Sequence, residues 1–278
     1  MKFDYIVGNP PYQKGLWAKI LNRVWDTTNK QMIMVHPLGP FLTKVKPNRV
    51  FQEYINKTLD YYSEIYFINP ELFKADILEG LSFIFIDKQN KTKNNVIDKV
   101  VYQDYREYEN MELRLLNIYQ RSPEKYERLI NYFGELVKKH GSIESIVKQT
   151  KKYDKEYTAN KLFLATFAIG MIDGMPDHSF HKIFTKNNYN GKTKTHFFFD
   201  VKDKEKYFLA KYLETRFAKM AFSLMKYNSH LYNFSFKYVP LIPLDKVWDD
   251  EELFEYFDVP SDIRKEVLKL PSKTVLDN

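Results

Sequence analysis

Apolar and polar residues follow two different periods in the first third of the chain. Residues 3–8 form a short apolar run that stops at Gly8 and Asn9, which predicts a strand. Apolar positions spaced three and four apart predict helices over 16–28 and 48–59. Further apolar runs predict strands over 31–42, 63–73, 80–88 and 96–102. Alternating strands and helices favour an α/β layer with both faces of its sheet covered.

The patterns of the remaining chain indicate a second region. Residues 107–140 are predicted to be mainly helical, and the basic stretch 148–157 marks a boundary. We therefore expect one domain over 1–147 and another over 148–278. The elements expected in the second are a strand at 196–201, a helix at 204–226, an extended segment at 236–244 and short helices at 249–257 and 261–269.

Composition excludes several classes of protein. The 278 residues contain no cysteine, so disulfides, thiolate metal sites and cysteine nucleophiles are excluded. No apolar run reaches the ~18 residues of a membrane span. The first residues turn polar too early for a signal peptide, so we expect a cytoplasmic protein without a membrane partner. His36, His178 and His181 have no metal-ligand partners nearby in sequence, and no metal site is expected.

The positive charge is concentrated in the middle of the chain. The net charge is +7 overall, whereas residues 148–238 carry 17 basic and 8 acidic residues, a net charge of +9. Such a block is typical of a surface that binds a polyanion. A lysine-rich solvated face would give the same count, so charge leaves both interpretations open.

The most specific pattern is Asn9-Pro10-Pro11-Tyr12, directly after the first predicted strand. The segment FDYIVGNPPY resembles the catalytic motif of the amino-methylating DNA methyltransferases, specifically the N6-adenine type associated with restriction systems. The resemblance implies a partial Rossmann-like methyltransferase sheet, its C-terminal half, followed by a mixed α+β target-recognition region. It also implies S-adenosylmethionine as methyl donor and double-stranded DNA as substrate.

The resemblance gives each motif residue a role. Asn9 and the Pro10 carbonyl would accept the two hydrogens of an adenine amino group, which localises the lone pair of the nitrogen. Pro10 and Pro11 restrict the backbone and hold that carbonyl in place. Tyr12 would stack on one face of a flipped base. Phe73, in a segment that also resembles the family, would stack on the other face, although a core aromatic is the alternative.

The family binds its cofactor at a Gly-rich turn after its first strand, and this chain has no strand before residues 3–8. Segment 170–174 lacks the required spacing, and the last glycine is Gly191. We expect a second polypeptide to supply the cofactor-binding half; a fragment of a longer chain and a decayed relative that only binds DNA are the alternatives. Without that half, Tyr5–Val7 would be an exposed apolar sheet edge that needs a partner.

Target recognition is expected in the basic second region. The loop 187–195 offers Asn188 and Asn190 for adenine, and Lys192 and Lys194 for phosphate or guanine. Arg216 and Lys219 are further candidates for DNA contacts, or lie on a solvated helix face.

The function expected from the sequence is site-specific methyl transfer to adenine N6. A catalytically inactive DNA-binding specificity protein and an N4-cytosine methyltransferase are the alternatives. No nuclease motif is found, so cleavage is not expected.

Overall fold

The computed structural model divides the chain into two compact units, Met1–Glu124 and Lys125–Asn278. It describes residues 1–11, 16–37, 41, 49–68, 81–92, 95–117, 121–150, 162–165, 171–172, 175–176, 183–184, 196–199, 201–225 and 233–270. Within these ranges, no helix is long and apolar enough to cross a lipid bilayer.

The first unit is a six-stranded mixed sheet with two long helices. Its elements are β1 (Phe3–Gly8), α1 (Leu16–Thr27), β2 (Thr28–Pro37), α2 (Arg49–Leu59), β3 (Tyr62–Ile68), β4 (Leu81–Asp87), β5 (Val96–Val101) and β6 (Glu107–Glu112). The strand order is β1-β2-β4-β3-β5-β6. Strand β1 pairs with β2 in parallel, and β3 pairs with β5 in parallel, whereas β4 and β6 run antiparallel to their neighbours. The first unit is therefore mixed α/β.

One face of this sheet packs against helices. Apolar residues recur along α1 at the predicted spacing and bury one side of the helix, including Trp17, Leu21 and Trp25. Met34 pairs with Ile84 across β2 and β4, so both side chains lie on this same covered face, and both are buried.

The C-terminal end of α1 is held by the side chain of Lys88, the residue that follows β4. The Lys88 ammonium group donates hydrogen bonds to the carbonyls of Trp25 (2.8 Å) and Thr28 (2.6 Å). A cation at a helix C-terminus satisfies carbonyls that have no partner within the helix. Burial lowers the pKa of Lys88, because removal from water disfavours its charged form. The contact fixes the chain where α1 turns directly into β2.

Among the described residues, much of the opposite face is exposed where β1, β2 and β4 lie side by side, which differs from the expectation that both faces are covered. Val7 pairs with Ile33 in parallel, and Ile33 pairs with Phe85 across β2 and β4, so these side chains share one face. Val7 is 76% exposed, Ile33 37% and Phe83, two residues before Phe85, 40%. Helices α1 and α2, which follow β1 and β2 in the chain, both contribute buried residues to the covered face. The period of apolar residues shows which side of a helix is buried but not which face of the sheet it covers, so it could not reveal that the two faces differ.

Residues 107–112 form strand β6, where the sequence pattern predicted helix. They pair antiparallel with β5 through a short connection in which Tyr105 has a positive φ of 62°. The Tyr102 amide nitrogen donates to the Arg106 carbonyl (2.9 Å), and the Tyr105 amide donates to the Tyr102 carbonyl (2.9 Å). Hydrogen bonding to β5 decides the conformation, because such pairing overrides a weak local preference.

The second unit contains a helical core beside small antiparallel sheets. Its elements are α3 (Pro123–His140), β7 (Val147–Thr150), β8 (Leu162–Ala165), β9 (Met171–Ile172), β10 (Met175–Pro176), β11 (Ile183–Phe184), β12 (His196–Phe199), α4 (Asp203–Glu214), α5 (Arg216–Ser223), α6 (Asp250–Tyr256) and α7 (Ser261–Leu268). One sheet has the strand order β11-β8-β12-β7, and β9 pairs with β10 in another.

Helix α3 lies in the core of the second unit, so the division at 124/125 differs from the expected boundary at 147/148. Its residues Leu129 and Phe133 are fully buried in a cluster with Phe217 and Phe254. Phe217 also stacks on Phe257 with ring centroids 5.1 Å apart. The basic stretch 148–157 therefore follows the structural boundary along the chain instead of forming it.

The single helix predicted over 204–226 is two helices that meet at Thr215. The Thr215 hydroxyl accepts a hydrogen bond from the Ala218 amide (3.2 Å), which is an N-cap for α5. The same hydroxyl donates to the Tyr212 carbonyl at the end of α4 (2.7 Å). One threonine thus ends the first helix and begins the second.

Candidate functional site

The Asn9-Pro10-Pro11 segment lies where parallel strands of the sheet end together. Gly8, the last residue of β1, is in register with Met34 of β2, and β2 continues to Pro37. Pro37 is in register with Leu81, which is opposite the last residue of β3, Ile68. In open α/β sheets, ligands bind outside the carboxyl ends of the strands. The segment therefore occupies the edge of the sheet where a ligand site is expected.

The backbone at this tip is confined on one side. Pro10 is buried, whereas Asn9 and Pro11 are exposed. A side chain on Gly8 would meet the Met34 methyl carbon at 3.2 Å and its sulfur at 3.3 Å, so β1 and β2 approach closely here. A buried proline ring after a closely packed glycine restrains the peptide that carries the Pro10 carbonyl.

Tyr12 and Phe73, the two expected base-stacking residues, lie outside the described residues. The strands that flank Phe73 are described: Ile68 ends β3 and Leu81 begins β4 at the same edge as Pro37. Val35, Ile68 and Leu81 form a small buried apolar cluster there. The connection that contains Phe73 therefore starts and ends at the edge that carries Asn9.

Two side chains from the β5–β6 connection support this edge. The Gln103 side chain donates to the Ile68 carbonyl (2.7 Å), which satisfies the last carbonyl of β3. Tyr102 is buried, and its hydroxyl donates to the Arg121 carbonyl (3.1 Å). Burial raises the pKa of Tyr102, because the phenolate would lose its hydration, so the phenol stays neutral.

A cluster of Tyr62, Glu64 and Tyr66 on the open face was missed by sequence reasoning. The Tyr62 hydroxyl donates to the Glu64 carboxylate (2.7 Å), and the Tyr66 hydroxyl donates to the other carboxylate oxygen. The hydrogen bond to Glu64 raises the pKa of Tyr62 to about 12. Burial, followed by the same carboxylate, raises the pKa of Tyr66 to about 12. Part of the signal was present in the sequence, since Glu64 and Tyr66 are two apart on a predicted strand and therefore point to one face.

This cluster borders an open groove of about 390 Å³ on the uncovered face of the sheet. Its lining residues are Ile33, Glu64, Tyr66, Phe83 and Phe85. The groove combines apolar walls with one carboxylate, and it lies on the strands and not at the edge that carries Asn9.

The expected DNA-contacting residues are placed only in part. Asn188, Asn190, Lys192 and Lys194 lie outside the described residues, as do His178 and His181. Arg216 and Lys219 are described, in helix α5.

Neither helical cation lies on an exposed surface. The Arg216 guanidinium is 2.7 Å from the Asp250 carboxylate, in a pair whose side chains are 25% and 14% exposed. Lys219 is only 1% exposed. A phosphate contact needs an accessible cation, so the expectation for Lys219 is corrected, and Arg216 is already engaged by Asp250. Helical spacing predicted that these residues are near each other but not that α5 is enclosed by the core.

The described residues do not form a binding site for S-adenosylmethionine. Of the glycines in the described ranges, Gly8 is the one that ends a strand, and the space beside it is filled by the Met34 side chain. Such a turn binds a cofactor only when the backbone is open to the ligand. The described residues therefore do not fit that cofactor.

No protein-family model matches the chain, and no curated protein matches it. A solved structure described as "Structural basis underlying complex assembly and conformational transition of the type I R-M system" is similar to 50% of this chain, at 13% sequence identity and a TM-score of 0.29. The match covers 31% of that structure's chain. A TM-score this low supports no conclusion about the site.

Proposed function

We propose that this chain is the base-handling and target-recognition part of a DNA methyltransferase that modifies adenine N6. The observation that carries the proposal is the Asn9-Pro10-Pro11-Tyr12 sequence directly after β1. The carboxyl end of a strand in an α/β sheet is the position that such a motif requires.

The chemical need explains the residue types. An adenine amino nitrogen is a poor nucleophile, because its lone pair is delocalised into the ring. The Asn9 side-chain oxygen and the Pro10 carbonyl would accept its two hydrogens and localise the lone pair. These hydrogen bonds strengthen as positive charge develops on the nitrogen, which is the condition for stabilising a transition state.

The geometry at the tip suits this role. Asn9 is exposed and follows a strand that fixes its backbone, so its amide group can reach a base that has left the duplex. Pro10 is buried, so its carbonyl is held in place and does not need to be ordered when the base binds. Tyr12 is proposed to stack on the base, which offsets part of the cost of unstacking it.

We propose that a second polypeptide supplies the cofactor-binding half. In the described part of the chain, β1 is one of the two edge strands of the sheet, and Tyr5 is 65% exposed. An exposed apolar outer strand is a template for pairing with another chain. A strand added beside β1 would bring a cofactor site next to Asn9. The methyl group would come from S-adenosylmethionine bound to that polypeptide.

The test is methyl transfer to DNA. The purified chain is incubated with radiolabelled S-adenosylmethionine and mixed duplex DNA, alone and with the products of neighbouring genes. We expect label in adenine N6 in at least one pairing. We expect Asn9→Ala to reduce the rate by at least about a hundredfold, as for the loss of an oxyanion-hole donor.

The matched control is Asn29→Ala, an exposed asparagine at the other end of the sheet, whose side chain donates to Asp4 (3.4 Å). It should transfer at the unaltered rate. Label in cytosine N4 would favour the cytosine alternative. Transfer that is equally fast with Asn9→Ala would refute the proposal.

A second candidate, a DNA-binding specificity protein without transfer activity, is favoured by the net charge of +9 over residues 148–238. The absence of a cofactor site among the described residues is compatible with it. Salt-sensitive DNA binding without transfer in any pairing would support this second candidate.

A further inference from the structure

The uncovered face of the first unit carries a large apolar patch. Tyr5, Val7, Ile33 and Phe83 are between 37% and 76% exposed. From the areas of such side chains, the patch is on the order of 500 Å². That is as large as the largest apolar patch of typical monomers, which often marks an interaction site.

Strand pairing shows that these residues form one continuous surface. Tyr5 is in register with Gln31, Val7 with Ile33, and Val35 with Phe83, so the apolar side chains extend across β1, β2 and β4. Parallel strand pairs in α/β proteins are normally covered on both faces. Here the described residues cover the pair β1–β2 on one face only.

The flank of the same face is acidic. Glu64 pairs with Lys99 across β3 and β5, and Lys99 pairs with Glu109 across β5 and β6, so all three lie on this face. Glu107 is also there, and its carboxylate lies 3.0 Å from the Lys99 ammonium group. Among the described residues of this flank, three carboxylates therefore accompany one ammonium group, although the whole chain has a net charge of +7.

We infer that this face, which we call the open sheet face, binds a second polypeptide through an amphipathic helix with an apolar stripe and flanking Lys or Arg residues. The apolar residues of β1, β2 and β4 would contact the stripe. The Glu64 carboxylate, beside the groove, would pair with a basic side chain at its border. Helices recognised in this way are read by apolar residues at a spacing of three and four.

The charge argues against a second copy of this chain as the occupant. Two copies placed face to face would present the same carboxylates to each other, and opposed like charges cost free energy on association. A basic partner is attracted, which also speeds its association.

The inference deepens the proposed function, since the same polypeptide would contribute the cofactor half, but its test is independent of methyl transfer. The probe is a fluorescein-labelled helical peptide of about 18 residues, with leucines at positions i, i+3, i+4 and i+7 and lysines beside them. A matched peptide carries glutamates in place of the lysines. Binding is measured by fluorescence anisotropy with the full chain, without DNA or methyl donor.

The lysine peptide should bind with at least a tenfold lower Kd than the glutamate peptide, and Ile33→Ser and Phe83→Ser should each raise its Kd about tenfold. Glu64→Gln should reduce the ratio between the Kd values of the glutamate peptide and the lysine peptide. The matched control is Leu268→Ser, because Leu268 in α7 of the second unit and Ile33 are both 37% exposed. Leu268→Ser should leave both Kd values unchanged.

Three results would overturn the inference. The first is equal or absent binding of the two peptides, and the second is unchanged binding by Ile33→Ser and Phe83→Ser. The third is a dimer of the unaltered chain, seen by sedimentation, that Ile33→Ser dissociates, because a second copy would then occupy the face. Peptide binding without methyl transfer in any pairing would retain this inference and count against the proposed function.

Discussion

Asp250 holds the start of helix α5 through two contacts. Its carboxylate accepts hydrogen bonds from the Arg216 guanidinium (2.7 Å) and from the Phe217 amide (2.9 Å). The amide is one of those that a helix cannot satisfy by itself at its first turn, and a carboxylate at this end also interacts favourably with the helix dipole. At the scale of single residues, an arginine considered for DNA binding is therefore part of the internal structure.

We expect Asp250→Ala to lower the free energy of unfolding by about 2 kcal/mol, because it removes two hydrogen bonds to a mostly buried charged group. Urea unfolding followed by circular dichroism measures the change. The control is Asp262→Ala, which removes the Arg128–Asp262 pair, whose side chains are 50% and 58% exposed. Such exposed pairs contribute little, so the control should unfold like the unaltered chain. Equal effects of both substitutions would contradict this account of Arg216.

Among whole elements, β1 is the most exposed strand of the described sheet. Among the described residues its outer edge is unpaired, as the sequence predicted for Tyr5–Val7, and the exposed Tyr5 and Val7 side chains leave one of its faces uncovered, which was not predicted. Neighbours normally cover such a strand, and its unpaired edge favours association through backbone hydrogen bonds. The isolated chain should therefore self-associate nonspecifically at high concentration.

We expect Val7→Lys to reduce this association, because charged residues on an edge strand oppose pairing. Static light scattering against protein concentration measures the effect. The control is Val247→Lys in the second unit, where Val247 is 43% exposed but lies outside any strand. A monomeric unaltered chain at all concentrations, or equal improvement by both substitutions, would be evidence against the edge as the cause.

For the whole molecule, charge is the property with the clearest consequence. The net charge of +9 over residues 148–238 contrasts with −5 over residues 239–278, which carry 5 basic and 10 acidic residues. If the basic block contacts DNA, binding releases counterions, and the logarithm of the affinity falls linearly with the logarithm of the salt concentration. Lys219 and Arg216 contribute to the charge but not to an exposed surface.

The slope of the logarithm of DNA affinity against the logarithm of salt concentration measures the number of phosphate contacts. We expect Lys192→Gln combined with Lys194→Gln to reduce the magnitude of this slope by about 2, at about 1 for each lost phosphate contact. Fluorescence anisotropy with labelled duplex DNA at several salt concentrations measures it. Lys138→Gln combined with Lys139→Gln removes the same charge at the end of α3 and should leave the slope unchanged. An equal reduction of the salt slope in both double variants would show that net charge, and not a phosphate contact at the loop 187–195, determines the slope.

Particular residues show how far the sequence could be interpreted. The period of Trp17, Leu21 and Trp25 predicted α1 and its buried side, because burial of an apolar stripe determines where such a helix packs. The junction between β1 and the motif at Gly8 and Asn9 was predicted for a different reason. A short apolar run that ends in glycine and proline has few other backbone conformations. Strand β6 was missed, because its hydrogen bonds come from β5 and leave no local signal.

The sequence by itself determined most of the local elements, the residue types of the motif and the distribution of charge, because these depend on residue type and on neighbours along the chain. Only the tertiary structure decided that α1 and α2 cover the same face, that Lys219 is enclosed, and that Glu64 lies on an open apolar surface. Each of these depends on which distant segments meet. Contacts between distant segments are set by the packing of the whole unit, to which many small terms contribute together, and not by any one period or motif.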